Sequence, residues 1–143
     1  MEYSNMLQRA YQFAQIYHAG QMYGDKEYMY HLKEVAYSLS RMLHNGDEYL
    51  IVAYLHDILE DTACTEATLR ENFSYEIVDA VVAMTKVEGE NYLTYIKKVS
   101  LNKIAHTVKI HDTLANLTES VKSQDWRRID KYANQLGLLA QIA

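Results

Sequence analysis

The amino-acid sequence predicts a single all-α domain of about seven to eight helices, spanning residues 1–143. Proline is absent and only five residues are glycine, so few residues interrupt a helix. Apolar residues recur at three- and four-residue spacings, and no window keeps the strict alternation of a half-buried strand. Hydrophobic residues make up 49% of the chain, and a chain of this length can bury one sizeable core.

The predicted helix boundaries follow from glycines, polar breaks and N-cap residues. Gly20 ends the first helix, the sequence His44-Asn45-Gly46 closes the second, and Thr65 and Ser74 suit two later N-caps. The polar stretch 21–27 is expected to be a loop, and Trp126 is expected in the core. The predicted helices cover about 6–19, 28–43, 47–59, 65–71, from 74 to the polar break at 87–90, 92–101, 103–117, and from 123 or 125 toward 143.

Charge and cysteine content limit the partners and the compartment. The formal net charge of -5 gives no long-range attraction to nucleic acid or to an anionic membrane, so we expect neither partner. The single cysteine, Cys64, excludes a disulfide framework and fits the reducing cytoplasm. No signal peptide is apparent at Met1–Asn5 and no apolar run has transmembrane length. The expected location is cytoplasmic, and a monomer and a homodimer both remain open.

The third predicted helix ends in an unusual group of polar side chains. An apolar run at 49–55 is followed by His56-Asp57 and then by Glu60-Asp61. Charged groups next to a core cost free energy unless they are paired or bind a metal. Acids at a helix C-terminus also oppose the helix dipole. The pattern therefore indicates a functional site more than a solvated helix end.

The seventh predicted helix supplies a second polar face. Lys109, Asp112 and Asn116 follow one another at spacings of three and four residues, which places them on one side of a helix. Alone, this face is equally typical of an ordinary solvated surface. His31 flanks the apolar face of the second helix and can point inward.

Taken together, the three helices offer two imidazoles and two carboxylates, from His31, His56, Asp57 and Asp112. Such a mixed nitrogen and oxygen set suits a six-coordinate Mn²⁺ or Fe²⁺ with open positions, while Zn²⁺ and Mg²⁺ remain possible. A metal ion lowers the pKa of a bound water and neutralises charge that develops at phosphorus. This is the chemistry of a phosphohydrolase that has no protein nucleophile.

In this order, the residues resemble the HD-domain metal-dependent phosphohydrolases. The finer resemblance is to the (p)ppGpp hydrolase domain of RelA/SpoT-type alarmone enzymes and their small stand-alone relatives. It covers roughly residues 8–118 and is strong in combination, although a bare His-Asp pair is a weak motif. The matching segments are His18-Ala19-Gly20-Gln21, Tyr28-Met29-Tyr30-His31 with Val35-Ala36, residues 55–62 and residues 108–116.

The resemblance implies the fold of an HD-domain helical bundle and the role of each matching residue. The reaction it implies is removal of the 3′-pyrophosphate from guanosine tetra- or pentaphosphate, the alarmones of the stringent response. Glu60 and Asp61 would position or deprotonate the attacking water. The implied metal ligands are His31, His56, Asp57 and Asp112.

The substrate contacts are less completely matched. The resemblance implies that Asn116 holds the sugar or a phosphate of the nucleotide and that Lys109 offsets charge or contacts phosphate. The arginine that packs against guanine in the alarmone enzymes is missing, so Tyr23 is expected to stack on the base and Lys26 to touch phosphate. Two alternatives therefore stay open: an HD phosphohydrolase for another nucleotide or phosphoester, and a nucleotide-binding HD module without turnover.

Overall fold

Short connections join the helices in sequence order. The computed structural model describes residues 3–42 and 46–142. Within these ranges the elements are α1 (Tyr3–Tyr17), β1 (Met22–Tyr23), β2 (Lys26–Glu27), α2 (Tyr28–Met42), α3 (Asp47–Leu55), α4 (Ile58–Asp61), α5 (Glu66–Asn72), α6 (Tyr75–Met84), α7 (Tyr92–Ser100), α8 (Lys103–Lys122) and α9 (Trp126–Ile142).

Helix α3 lies at the centre of the fold and is apolar around its circumference. It packs against α1, α2, α6 and α8, and Ile51, Val52, Ala53 and Leu55 are completely buried. A helix that is hydrophobic on all sides is stable only when neighbouring elements cover it. Because α3 is held so firmly, its C-terminal end offers a rigid base for the polar residues that follow.

The prediction of an all-α bundle is confirmed. The described residues form eight helices of seven residues or more and the four-residue α4. The prediction of one continuous helix over 47–59 was wrong at His56, which is the C-cap of α3, because Asp57 leaves helical geometry at φ -103° and ψ 1°. Helix α8 continues to Lys122, beyond the predicted end at 117.

The stretch predicted as a loop at 21–27 contains a two-stranded antiparallel hairpin. Tyr23 pairs with Lys26 across a turn that begins at Gly24, whose φ is +63°. Glycine at the first position of a two-residue turn is a common hairpin arrangement. Two residues per strand are too few for alternation to be read from the sequence, so this prediction was wrong.

Three further predictions can be compared with the structure. The Thr65 hydroxyl accepts a hydrogen bond from the Thr68 backbone as an N-cap, whereas Ser74 occupies the N-cap position of α6 without such a bond. Trp126 is 72% exposed at the start of α9, so its expected place in the core was wrong. The closing signal at His44-Asn45 lies outside the described residues. In residues 3–42 and 46–142, every helix is too short or too polar to cross a membrane.

Candidate metal and active site

Three elements bring the predicted metal-binding side chains together. His31 lies in the first turn of α2, His56 ends α3, and Asp112 lies in the middle of α8. All three are buried, at 2%, 2% and 4% exposure. Their ligand atoms lie within 4.8 Å of one another, so they form a group that can bind a divalent metal ion.

Asp112 is the centre of this group. Its Oδ1 lies 2.8 Å from Nε2 of His31 and 3.4 Å from Nε2 of His56. Asn116 donates a hydrogen bond of 3.2 Å to the same oxygen, and Lys109 donates one of 3.1 Å to Oδ2. The polar face predicted from Lys109, Asp112 and Asn116 lies on α8. It belongs to the candidate site, because Lys109 and Asn116 both donate to the Asp112 carboxylate.

Asp57 contacts the group from its edge. Its Oδ2 lies 3.0 Å from Nε2 of His56 and accepts a hydrogen bond from the Tyr28 hydroxyl. The carboxylate does not belong to the set whose ligand atoms are mutually within 4.8 Å. Its assignment as the fourth ligand stays a prediction.

The surroundings of His56 fit a cation at its Nε2. Its Nδ1 donates to the Ala53 carbonyl at 2.7 Å, so Nε2 is the nitrogen that faces the two carboxylates and that would bind a metal ion in the neutral imidazole. Nε2 is buried and makes no hydrogen bond of acceptable geometry within the described part of the chain. A buried polar nitrogen without a partner is costly, and a metal ion between the imidazole and the carboxylates would satisfy it.

Electrostatics support the same assignment. Burial favours the neutral form of His56, but the Asp57 and Asp112 carboxylates outweigh burial and raise its pKa well above the usual value. Burial acts to raise the pKa of Asp112, yet Lys109 and His56 hold that pKa well below its usual range. Burial likewise acts to raise the pKa of Asp57, but His56 lowers it to about 2. Both carboxylates thus stay ionised and attract positive charge to the point between them.

Two tyrosines, Tyr28 and Tyr23, pack against the histidines of the site and donate hydrogen bonds to its polar residues. Tyr28 stacks on His18, with ring centroids 4.8 Å apart, and donates to Asp57. Tyr23 stacks on His31 at 4.6 Å, and its hydroxyl donates to Asn116 at 2.7 Å. One face of the Tyr23 ring is therefore already occupied, so a nucleotide base could stack only on the other face.

The two predicted catalytic acids lie at the rim of the site. Glu60 and Asp61 belong to α4 and are exposed. Glu60 accepts a hydrogen bond of 2.7 Å from the backbone of Lys86, and Asp61 accepts one of 3.2 Å from the side chain of Gln21. The break at Asp57 turns α4 so that both carboxylates line the same cavity as the metal group.

This cavity has a volume of about 270 Å³. Helix α9 closes one side of it with Arg128, Lys131 and Tyr132, which the sequence analysis did not assign to the site. Their spacing of three and four residues puts them on one helix face, but nothing in the sequence indicates that this face returns to the metal group. The lining residues are Tyr23, Tyr28, His31, Asp57, Glu60, Asp61, Lys109, Asp112, Asn116, Arg128, Lys131, Tyr132 and Gln135.

Lys26 does not line the main cavity. It lies beside a smaller adjoining depression of about 160 Å³, together with Tyr23 and Arg128. Its ammonium group is 3.8 Å from Asp25 and 4.8 Å from the centre of the Tyr30 ring. A contact between Lys26 and a substrate phosphate stays a prediction.

Comparisons with known proteins give the family of the chain. Residues 10–111 match the family model described as HD domain, and Asp112 follows directly. A guanosine-3′,5′-bis(diphosphate) 3′-pyrophosphohydrolase of Aquifex aeolicus is 31% identical over 125 residues, which cover 81% of this chain and 18% of that protein. The protein of the same name from Spiroplasma citri is 33% identical over 123 residues, which cover 78% of this chain and 16% of that protein.

A solved structure has the same fold. A metazoan ortholog of SpoT, described as hydrolysing ppGpp and acting in starvation responses, superimposes with a TM-score of 0.78 at 20% identity. The match covers 94% of this chain and 85% of that one. The chain spans less than a fifth of the length of the two curated relatives. The family match extends over most of the chain and contains His31, His56 and Asp57, and on this evidence the chain belongs to the HD domain family.

Proposed function

We propose that the chain is a metal-dependent phosphohydrolase that removes the 3′-pyrophosphate of guanosine tetra- or pentaphosphate. The observation that carries the proposal is the buried group of His31, His56 and Asp112, which opens into a cavity lined by both acids and cations. The names of the curated relatives support the choice of substrate.

Mn²⁺ is the leading candidate among the ions that the donors suit. Two imidazole nitrogens and one or two carboxylate oxygens form a mixed set that suits Mn²⁺ or Fe²⁺, and Zn²⁺ or Mg²⁺ would also fit. His31, His56 and Asp112 would hold the ion, with Asp57 as the proposed fourth ligand. When bound, the ion would activate a water molecule and offset the charge that develops at phosphorus.

The other side chains of the cavity divide between proton transfer and phosphate binding. Glu60 and Asp61 are carboxylates at the rim, suited to orient the attacking water and accept its proton. Lys109 stays charged because Asp112 outweighs the effect of burial and raises the pKa of its ammonium group. On the opposite side, Arg128 and Lys131 supply cations that match a phosphate group, and Asn116 supplies an amide.

A second candidate is the same reaction on another nucleotide. The hairpin carries no arginine to pack against guanine, and one face of the Tyr23 ring already contacts His31. Both observations weaken base selection without affecting the metal group. An HD module that binds a nucleotide without turnover is the third candidate, and the presence of Glu60 and Asp61 in the cavity argues against it.

A nucleotide panel tests the proposal. Metal-stripped protein is assayed for pyrophosphate and phosphate release with added Mn²⁺ and with chelator, on guanosine tetraphosphate, nucleoside mono- and triphosphates and deoxynucleotides. We expect Mn²⁺-dependent pyrophosphate release from the alarmone. Release from another nucleotide alone would establish the second candidate, and no release with Mn²⁺ bound would establish the third.

Variants of the two acids test their roles. Glu60→Gln and Asp61→Asn should keep the affinity for Mn²⁺ and lower kcat by about 10²- to 10⁴-fold, the usual contribution of a positioned acid or base. Calorimetric titration with Mn²⁺ checks the first expectation and single-turnover kinetics the second. A variant that keeps full turnover excludes that residue from proton transfer.

A further inference from the structure

His18 and Gln21 form a hydrogen-bonded pair beside the metal group. Nδ1 of His18 lies 2.7 Å from Oε1 of Gln21, and Nε2 of Gln21 donates to Oδ2 of Asp61 at 3.2 Å. These hydrogen bonds thus connect the buried imidazole of His18, through the side-chain amide of Gln21, to the carboxylate of Asp61 at the rim of the cavity. Neither His18 nor Gln21 has a role in the proposed reaction as described above.

The donors and acceptors in this series of hydrogen bonds allow only one orientation of the Gln21 side chain. An ionised carboxylate can only accept hydrogen bonds, so the amide nitrogen of Gln21 must face Asp61. The amide oxygen then faces His18, and the imidazole must carry its proton on Nδ1 to donate to it. The hydrogen bond from His18 therefore reinforces the orientation of the Gln21 side-chain amide that the Asp61 carboxylate requires.

The backbone holds the pair rigidly. Gly20 turns the chain with a φ of +85°, a conformation that glycine adopts at little cost. The backbone N–H of Gln21 donates to the backbone carbonyl of His18 at 2.9 Å, and the backbone N–H of Tyr28 donates to the backbone carbonyl of Gln21 at 3.0 Å. His18 is only 3% exposed and stacks on Tyr28. Gln21 is thus fixed at both its backbone and its side chain.

Asp61 is in the opposite situation. It is exposed at the end of the four-residue α4. An exposed side chain in such a place samples several rotamers unless a contact selects one. The hydrogen bond from Gln21 selects one and occupies Oδ2, which leaves Oδ1 available to a water molecule in the cavity.

We propose that Gln21 is a positioning residue for Asp61 and that His18, by donating to the side-chain oxygen of Gln21, holds the Gln21 amide in the orientation that does so. The inference rests on the proposed function, since it assumes that Asp61 acts in hydrolysis. Asp61 lines the cavity with the metal group, whereas Gln21 lines a separate depression behind it with His18. Gln21 consequently acts through Asp61 without touching the substrate.

A double-mutant cycle tests this inference. kcat, KM and the Mn²⁺ affinity are measured for the wild type, Gln21→Met, Asp61→Ala and the double variant. Gln21→Met should lower kcat by about 10²-fold, the scale expected when a reacting group is misplaced by about 1 Å, with KM and Mn²⁺ affinity unchanged. In the Asp61→Ala background the same substitution should have no further effect, because residues that act as a unit are not additive.

Two further variants extend the cycle. Gln21→Glu keeps the length of the side chain and places a carboxylate against Asp61, so it should lower kcat at least as much as Gln21→Met. It also serves as the second variant if Gln21→Met fails to fold, which circular dichroism shows. His18→Phe keeps a ring against Tyr28 and removes the Nδ1 donor, so it should lower kcat in the wild-type background and have no effect in Gln21→Met.

The matched control is Gln12→Met, the same substitution at an exposed position of α1 away from the cavity. It should leave all three quantities unchanged. An unchanged kcat in Gln21→Met, an equal loss in both Asp61 backgrounds, or a parallel loss of Mn²⁺ affinity would overturn the positioning role. Absence of turnover in the wild type would overturn the proposed function first, so the two failures are distinguishable.

Discussion

Tyr28 connects the proposed metal ligands to the surrounding core. Its hydroxyl donates to Asp57 and its ring stacks on His18. Burial and the nearby Asp57 carboxylate raise the pKa of the phenol well above its usual value, so Tyr28 remains a donor at neutral pH. Residues that orient a metal ligand in this way contribute to metal affinity although they do not touch the ion.

We therefore predict that Tyr28→Phe weakens Mn²⁺ binding. The variant keeps the ring and removes the donor to Asp57. Loss of such a partner costs about 10- to 100-fold in metal affinity. Isothermal titration of metal-stripped protein measures the change. Tyr30→Phe is the matched control, because Tyr30 donates to Glu119 and does not line the cavity. Equal affinities in the two variants would contradict the role of Tyr28.

At the scale of elements, α8 contributes the central carboxylate of the candidate site and two side chains that contact it. One face of α8 carries Lys109, Asp112 and Asn116, and the outer two both donate to the Asp112 carboxylate. The helix begins at an N-cap formed by Asn102, whose side-chain oxygen accepts a hydrogen bond of 2.9 Å from the Ala105 amide. Asp112 lies nearly three turns beyond this cap, at 3.6 residues a turn.

The distance between cap and site leads to a second prediction. Asn102→Ala should lower the free energy of unfolding by about 1 kcal/mol, the usual cost of a lost N-cap, and should leave Mn²⁺ affinity unchanged. Urea denaturation of metal-stripped protein measures the first quantity and calorimetry the second. Asn102→Asp keeps the acceptor and should retain the stability of the wild type. A loss of Mn²⁺ affinity in Asn102→Ala would contradict the prediction and show that the cap and the site are coupled.

The break between α3 and α4 is the other element that shapes the site. A continuous helix through 47–59 would direct His56 and Glu60 along one face. Instead, non-helical Asp57 separates the buried His56 from the exposed Glu60 and Asp61. This separation gives the metal group a buried position and gives the proposed acids access to solvent.

On the scale of the whole molecule, the metal group links elements that are distant in sequence. His31, His56 and Asp112 belong to α2, α3 and α8 in a buried position. Positive charge on His56 and Lys109 offsets the mutual repulsion of the Asp57 and Asp112 carboxylates. An ion that binds the folded chain more tightly than the unfolded one shifts the unfolding equilibrium by mass action.

The third prediction is that Mn²⁺ raises the Tm of the protein in a saturable manner and that chelator reverses the shift. At a free concentration of 100 times Kd the stabilisation should be about 2.7 kcal/mol. Differential scanning calorimetry with and without Mn²⁺ measures it. His56→Gln should lose the shift, while His106→Gln, whose imidazole contacts the Leu139 carbonyl, should retain it. A full shift in His56→Gln would remove His56 from the metal group.

Much of the fold was predictable because helical periodicity is a local property. The apolar faces of α2, α6 and α7 read directly from spacings of three and four residues. The hairpin at Met22–Glu27 was missed because its strands are too short for a pattern. Trp126 was misplaced because side-chain type alone does not tell which side of α9 the bundle covers.

The sequence by itself determined the helical class, because helical periodicity is local. It also indicated His31, His56 and Asp112 as residues able to bind a metal, through their residue types and through the resemblance of their order to a known family. Only the tertiary structure decided that Arg128 and Lys131 line the same cavity as His31 and Asp112, and that Gln21 reaches Asp61. These contacts join residues that are far apart along the chain. Their distances follow from how the helices pack on α3, which no local spacing encodes.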